Sequence, residues 1–216
     1  MTAQRLTGSG LRYEVRGRTV LDAVSVNANA GRLLAVCGPS GAGKSSLLAL
    51  LGGLLMPSDG MVALDDVPVR AADHMRLRIS MVLQGYGLVS ALTARENVAI
   101  TLQARRASRD DVRRRTGEAL SDVGLAEVAD HLIEDMSGGQ QQRVAVARAL
   151  AAHPDVLLAD EPTAELDAEN RERIIDLLVR LGHAGAIVVI ASHDPEVVGR
   201  CDDVLQLDAG RVVTTS

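Results

Sequence analysis

The chain contains no phenylalanine and no tryptophan, and tyrosine occurs only at Tyr13 and Tyr86. Its core must therefore be built from Leu, Val, Ile, Ala and Met. Lysine is almost absent as well. Lys44 stands alone, and all the other basic residues, out of 23, are arginine. Cysteine is limited to Cys37 and Cys201, far apart and without metal-type spacing, which reads as a reduced, cytosolic chain. No hydrophobic run is long. The most apolar stretch, Leu47 to Met56, falls short of the roughly 20 residues that cross a bilayer. Work at a membrane would then need a partner that supplies the span. The opening Met-Thr-Ala-Gln-Arg lacks the apolar segment of a signal peptide. A positive surplus is missing too: a net charge of −5 does not favour general affinity for nucleic acid.

What is present is an ordinary globular balance, 47% hydrophobic and 24% charged over 216 residues. That length suits one large domain or a domain carrying an inserted subdomain. Leu11 to Val15 and Gly60 to Leu64 read as short strands, with Asp65-Asp66 as a hairpin tip before Val67-Pro68-Val69. Arg32 to Cys37 is an apolar run ending at a glycine-rich loop, as a buried parallel strand would. After the loop, Leu47, Leu48, Leu51, Leu54 and Leu55 recur at helical spacing. Ile79 to Gln84 is another apolar run. Residues 86–153 read mostly as helix, with Arg105 to Arg115 as a charged, solvated stretch. Strand-like runs return at Asp155 to Ala159, Ala186 to Ala191 and Val204 to Leu207, the first two separated by a helix bearing Ile174, Ile175, Leu177, Leu178 and Leu181. The pattern predicts an α/β core, 1–85 and 154–216, interrupted by a helical insertion over 86–153.

Three motifs carry chemistry. The solitary lysine lies in Gly38-Pro-Ser-Gly-Ala-Gly-Lys-Ser45, which fits G-x-x-x-x-G-K-[ST] at every fixed position. Such a loop, Gly38, Pro39, Ser40, Gly41, Ala42, Gly43, Lys44, Ser45 and Ser46, curls backbone N–H groups around phosphates at a helix N-terminus. A compact ammonium fits that cradle where a guanidinium fork does not. Lys44 would neutralise the β- and γ-phosphates and Ser45 would ligate Mg²⁺. Second, the apolar Val156-Leu-Leu-Ala ends in Asp160-Glu161. Asp160 would hold the metal through water, and Glu161 would orient or deprotonate an attacking water. Third, Met136-Ser137-Gly138-Gly139-Gln140 has capping-box spacing, so Ser137 starts a helix. Its glycine pair leaves backbone N–H groups bare and makes a second anion site.

These motifs, in this order, resemble the ATP-binding-cassette (ABC) ATPases, whose signature is L-S-G-G-Q. The resemblance spans essentially the whole chain and departs only by Met136 for leucine. It implies a phosphate-loop NTPase core with an antiparallel β subdomain and an inserted α-helical signature subdomain. Tyr13 is similar to the aromatic residue that stacks on adenine, and Gln84 to the glutamine that touches Mg²⁺ and relays to a partner. Ala164-Glu-Leu-Asp167 resembles the loop after the catalytic acid, and Ser192-His193-Asp194 the histidine switch on the γ-phosphate.

The resemblance further implies ATP and Mg²⁺ as ligands and a head-to-tail homodimer. Ser137, Gly138, Gly139, Gln140 and Asp167 would then help bind nucleotide, the signature residues serving the other copy's ATP. It also implies a permease docked on the Gln84 to Asn97 region, at the inner face of the membrane. That region is similar to ATPases paired with lipoprotein-releasing, macrolide-exporting or cell-division permeases. An ABC ATPase of a non-transporting mechanotransmission or cell-division complex would carry the same text. DNA-repair and ribosome-associated relatives fit poorly, because the chain has no coiled-coil insertion, second cassette or basic surplus. No N-K-x-D guanine-reading motif is present either. Tyr86 reads as an interface or packing residue and Cys37 as a small buried hydrophobe. His74, His131, His153 and His183 have no partner pattern.

Overall fold

In the computed structural model, which describes residues 3–69 and 77–215, the alternating segments Arg5–Val15 (β1) and Arg18–Asn29 (β2) pair antiparallel. Val24, Val26 and Ala28 point inward, as a two-residue period demands, and Leu21 joins them across an irregularity at Ala23, where φ is 53°. Asp59–Leu64 (β4) joins the other edge of β1, and Val67–Pro68 (β5) follows it through a tight turn. Asp65 and Asp66 both have positive φ, 51° and 64°, which aspartate tolerates in a hairpin tip. The order in this sheet is β2-β1-β4-β5.

The second sheet is of the type that only α/β proteins build. Leu33–Cys37 (β3), Val156–Asp160 (β7) and Ile187–Ala191 (β8) are buried at every residue, as central parallel strands covered on both faces must be. With Ile79–Val82 (β6), Asp203–Asp208 (β9) and Arg211–Thr215 (β10) the order is β10-β9-β3-β8-β7-β6. Helix α1, Lys44–Leu51, lays Leu47, Leu48, Leu50 and Leu51 into a core shared with Val36, Leu158, Val189 and Leu207. Each such leucine contributes roughly 1.5–3 kcal/mol of burial. The leucine periodicity predicts a longer helix reaching Leu54 and Leu55. It stops at Leu51 because Gly52 caps it and Gly53 turns left-handed at φ 67°, leaving Leu54 exposed.

The helical stretch resolves into Ala94–Ala104 (α2), Arg109–Asp122 (α3) and Gly138–Ala151 (α4). Arg105 to Arg115 is not one continuous face. Arg106 goes left-handed at φ 57°, and Ser108 restarts the chain as the N-cap of α3. Helix α5, Ala168–His183, follows β7, and the single turn Pro195–Val198 (α6) follows β8. Contacts divide the chain into two units: Met1–Met81 with Asp155–Glu161 and Leu178–Ser216, and Val82–Pro154 with Pro162–Leu177. His74 lies outside the described residues.

Candidate active site

Strand register sets the site of the first unit. Parallel pairing puts Val36 of β3 opposite Ala191 of β8, and Ala191 opposite Asp160 of β7. The residues that follow, Cys37, Ser192 and Glu161, therefore leave the sheet at one level and on its carboxyl edge, where open α/β sheets hold their ligands. The Ser192 N–H donates to Val36 O at 3.2 Å and the Glu161 N–H to Ala191 O at 2.9 Å, which locks that level.

The loop after β3 requires its glycines. A Cβ on Gly38, at φ 147°, would overlap the main-chain oxygen of Leu207. On Gly43, at φ 102°, it would sit 2.7 Å from Leu21 Cδ2. Lys44 folds over the loop and donates from Nζ to the carbonyls of Gly38 (2.8 Å) and Pro39 (3.2 Å). Helix α1 starts with no acidic residue in its first turn and no side-chain cap, so its N-terminal N–H groups face outward as anion donors. Ser45 hydrogen-bonds Asp160, which is only 7% exposed. Burial pushes the Asp160 carboxyl above its usual range, a shift the Ser45 bond and Lys44 oppose.

Beside them, Glu161 holds φ 47°, a conformation that costs a non-glycine residue about 1–3 kcal/mol and recurs at active sites. Its Oε1 lies 2.7 Å from His193 Nδ1, and Ser192 Oγ donates to its Oε2 at 3.3 Å. The glutamate side chain is 15% exposed and the histidine 76%, so the pair runs from the sheet edge out to solvent. Asp194 caps α6 through the Glu196 N–H at 2.9 Å, fixing the turn that carries His193. Tyr13 is half-buried against the core and pairs with Leu21, the residue that abuts Gly43. One strip of structure thus brings together Tyr13, Gly38 to Ser46, Asp160, Glu161 and His193. Ser192, named in the sequence only as part of the switch motif with His193, is fully buried beneath it. A lone polar residue ending an apolar strand was the available signal.

The second unit holds the remaining residues. Ser137 caps α4 in a full capping box: its Oγ accepts from the Gln140 N–H at 3.3 Å, and its own N–H donates to Gln140 Oε1 at 2.9 Å. Gly138 and Gly139 follow without side chains. The glycine pair has a packing reason too. A Cβ on Gly138 would overlap the Glu165 carboxylate, and one on Gly139 would lie 2.8 Å from Glu165 O. Gln84 is exposed. Asp167 caps the start of α5, accepting from the Asn170 N–H at 2.8 Å, and this bond holds its carboxyl below the usual range.

Whether these residues suit Mg-ATP is a question of donor chemistry. A hydroxyl hydrogen-bonded to a buried carboxylate offers the hard oxygen ligands Mg²⁺ takes, and Mg²⁺ completes its shell with water and phosphate. The lone ammonium donates to carbonyls of its own loop and faces a glycine cradle. The set fits. Among the described residues, no group of three or more His, Cys, Asp or Glu side chains is placed to hold a metal ion.

Known proteins converge on this arrangement. The family model described as ABC transporter matches residues 21–164. An uncharacterised ABC transporter ATP-binding protein of Mycobacterium tuberculosis is 42% identical over 89% of this chain and 60% of its own length. The chain thus spans about three-fifths of that relative. The methionine import ATP-binding protein MetN of Caulobacter vibrioides is 43% identical over 93% of this chain and 63% of its own. The lipoprotein-releasing system ATP-binding protein LolD of Bordetella pertussis is 39% identical over 98% of this chain and 99% of its own. Among solved structures, the dimeric post-hydrolysis state of the ATP-binding cassette MJ0796, bound to ADP and Pi, superposes with a TM-score of 0.91. It is 33% identical and covers 98% of this chain and 97% of that one. With the glycine cradle, the paired acids and the signature helix matched across nearly its full length, the chain belongs to the ABC transporter family.

Proposed function

We propose that the chain is the ATP-binding and ATP-hydrolysing subunit of a membrane transporter. Two copies clasp two ATP molecules head to tail, and each nucleotide lies between one copy's Lys44 loop and the other's Ser137 helix end. The observation that carries this reading is the Glu161–His193 pair at 2.7 Å, level with the Lys44 loop on adjacent strand ends.

The roles follow from the geometry. The Gly38 to Ser46 loop and Lys44 bind the phosphates, and Tyr13 stacks on the adenine. Glu161 orients the attacking water and accepts its proton, while the bond from the γ-phosphorus to ADP breaks. With Nδ1 committed to Glu161, His193 presents Nε2 to the γ-phosphate. Mg²⁺ would be held by Ser45, Gln84 and, through water, Asp160, and when bound it neutralises charge on the phosphates. The Gln84 to Asn97 segment docks a permease. No helix among the described residues is long and apolar enough to cross a membrane. A docked permease would hold the subunit at the membrane's inner face.

Glu161→Gln tests the assignment. ATP hydrolysis by the purified variant should fall by roughly 10²–10⁴-fold while nucleotide binding is retained. Turnover within a few-fold of the parent would reject Glu161 as the base.

A further inference from the structure

Helix α4 organises a second device around its own N-terminus. Gln142, buried at 3% exposure, accepts the Glu165 N–H at 2.9 Å and pins that backbone beside Gly139. Six residues on, Arg148 donates to the carbonyls of Tyr86 (2.7 Å) and Gly87. The clamped turn is unusual: Gly85, Tyr86 and Gly87 are all left-handed, at φ 88°, 62° and 59°. Such a run is tolerable for glycine and strained for tyrosine. The clamp delivers the Tyr86 hydroxyl to the same place as the Glu165 carboxylate. Both lie within 4 Å of where a Gly138 Cβ would stand.

The Tyr86 phenol hydrogen-bonds Glu165, and burial together with that carboxylate pushes the phenol up to about 12. A carboxylate therefore rests against the bare helix end, where the positive pole of the helix and unpaired N–H groups favour an anion. The Glu165 main chain is held by Gln142, while its side chain is exposed.

We propose that Glu165, steadied by Tyr86, is an internal anion that occupies the Gly138–Gly139 end of α4 and must swing away before a nucleotide phosphate from a second copy can bind there. This rests on the reading that α4 serves the other copy's ATP. A phosphate arriving at the same helix end would crowd and repel the carboxylate that lies beside Gly138, so the carboxylate sets how much ATP is needed to join two chains. Tyr86 lies inside the Gln84 to Asn97 segment. A partner seated on that segment would move Tyr86, release the carboxylate and lower the ATP requirement.

The test compares Glu161→Gln with the double variants Glu161→Gln/Glu165→Gln and Glu161→Gln/Tyr86→Phe. Sedimentation velocity across an ATP titration gives the ATP concentration at half-dimerisation. Both double variants should need about 3–10-fold less ATP. An unchanged or higher requirement would overturn the proposal while leaving the two-copy reading intact. Failure of Glu161→Gln itself to dimerise would instead sink the reading on which the proposal rests. A second readout follows phenolate absorbance with rising pH, which the absence of tryptophan makes clean. Glu165→Gln should bring one of the two tyrosines down toward the ordinary value of about 10. Superimposable titrations of parent and variant would show that the contact does not form in solution and would also overturn the proposal.

Discussion

At the residue scale, Asp160 shows function and stability in opposition. Its carboxyl is raised by burial at the end of β7. A raised folded-state value means the ionised form opposes folding across neutral pH. That penalty vanishes only below the ordinary carboxylate range near about 4. Asp160→Asn, which still accepts from Ser45, should therefore melt a few degrees higher at pH 7. At this chain length roughly 2–4 °C corresponds to 1 kcal/mol. The gain should shrink as pH falls toward 3–4, and Mg²⁺-dependent hydrolysis should be lost. Calorimetry at both pH values checks this, and a lower melting point at pH 7 would contradict the burial argument. Lys44 is the complementary case. In a chain that uses arginine everywhere else, a compact ammonium survives at the one position where the Gly38 and Pro39 carbonyls leave no room for a planar fork.

At the element scale, caps and glycines decide where segments begin and end. Thr93 caps α2 in a full capping box, accepting the Glu96 N–H at 3.1 Å while Glu96 Oε2 accepts the Thr93 N–H at 2.8 Å. Thr93→Ala should cost about 1 kcal/mol at neutral pH. The same bonds hold the Glu96 carboxyl below its usual range. The stability they contribute is present above about pH 4.3 and is lost as pH falls through the lowered folded value. Denaturant midpoints of parent and variant should therefore converge in acid, and a gap of equal size at pH 7 and pH 3 would refute the linkage.

The central strands and the cap of α4 were legible in sequence, because full burial writes an unbroken apolar run and capping writes S-x-x-Q. Strand β2 is less legible, although Val24, Val26 and Ala28 alternate with polar residues. Its small and amide side chains dilute the β signal. The overlong α1 has the opposite cause: leucine periodicity outran Gly52 and Gly53. Glu165 was invisible as a partner of the glycine pair, since nothing in local spacing says that residues 138 and 165 meet.

At the scale of the whole molecule, the proposed nucleotide-binding roles divide between the two units. The first carries the phosphate loop and the Glu161–His193 pair on level strand ends. The second carries a capped helix end with two glycines, with the Glu165 carboxylate beside Gly138. A net charge of −5 argues that ATP, rather than charge attraction, must bring two copies together. The most direct measurement is therefore sedimentation of Glu161→Gln with saturating Mg-ATP. The account predicts a two-chain particle holding two nucleotides that falls apart when ATP is removed. A single chain that binds nucleotide at saturation yet sediments as a monomer would contradict it.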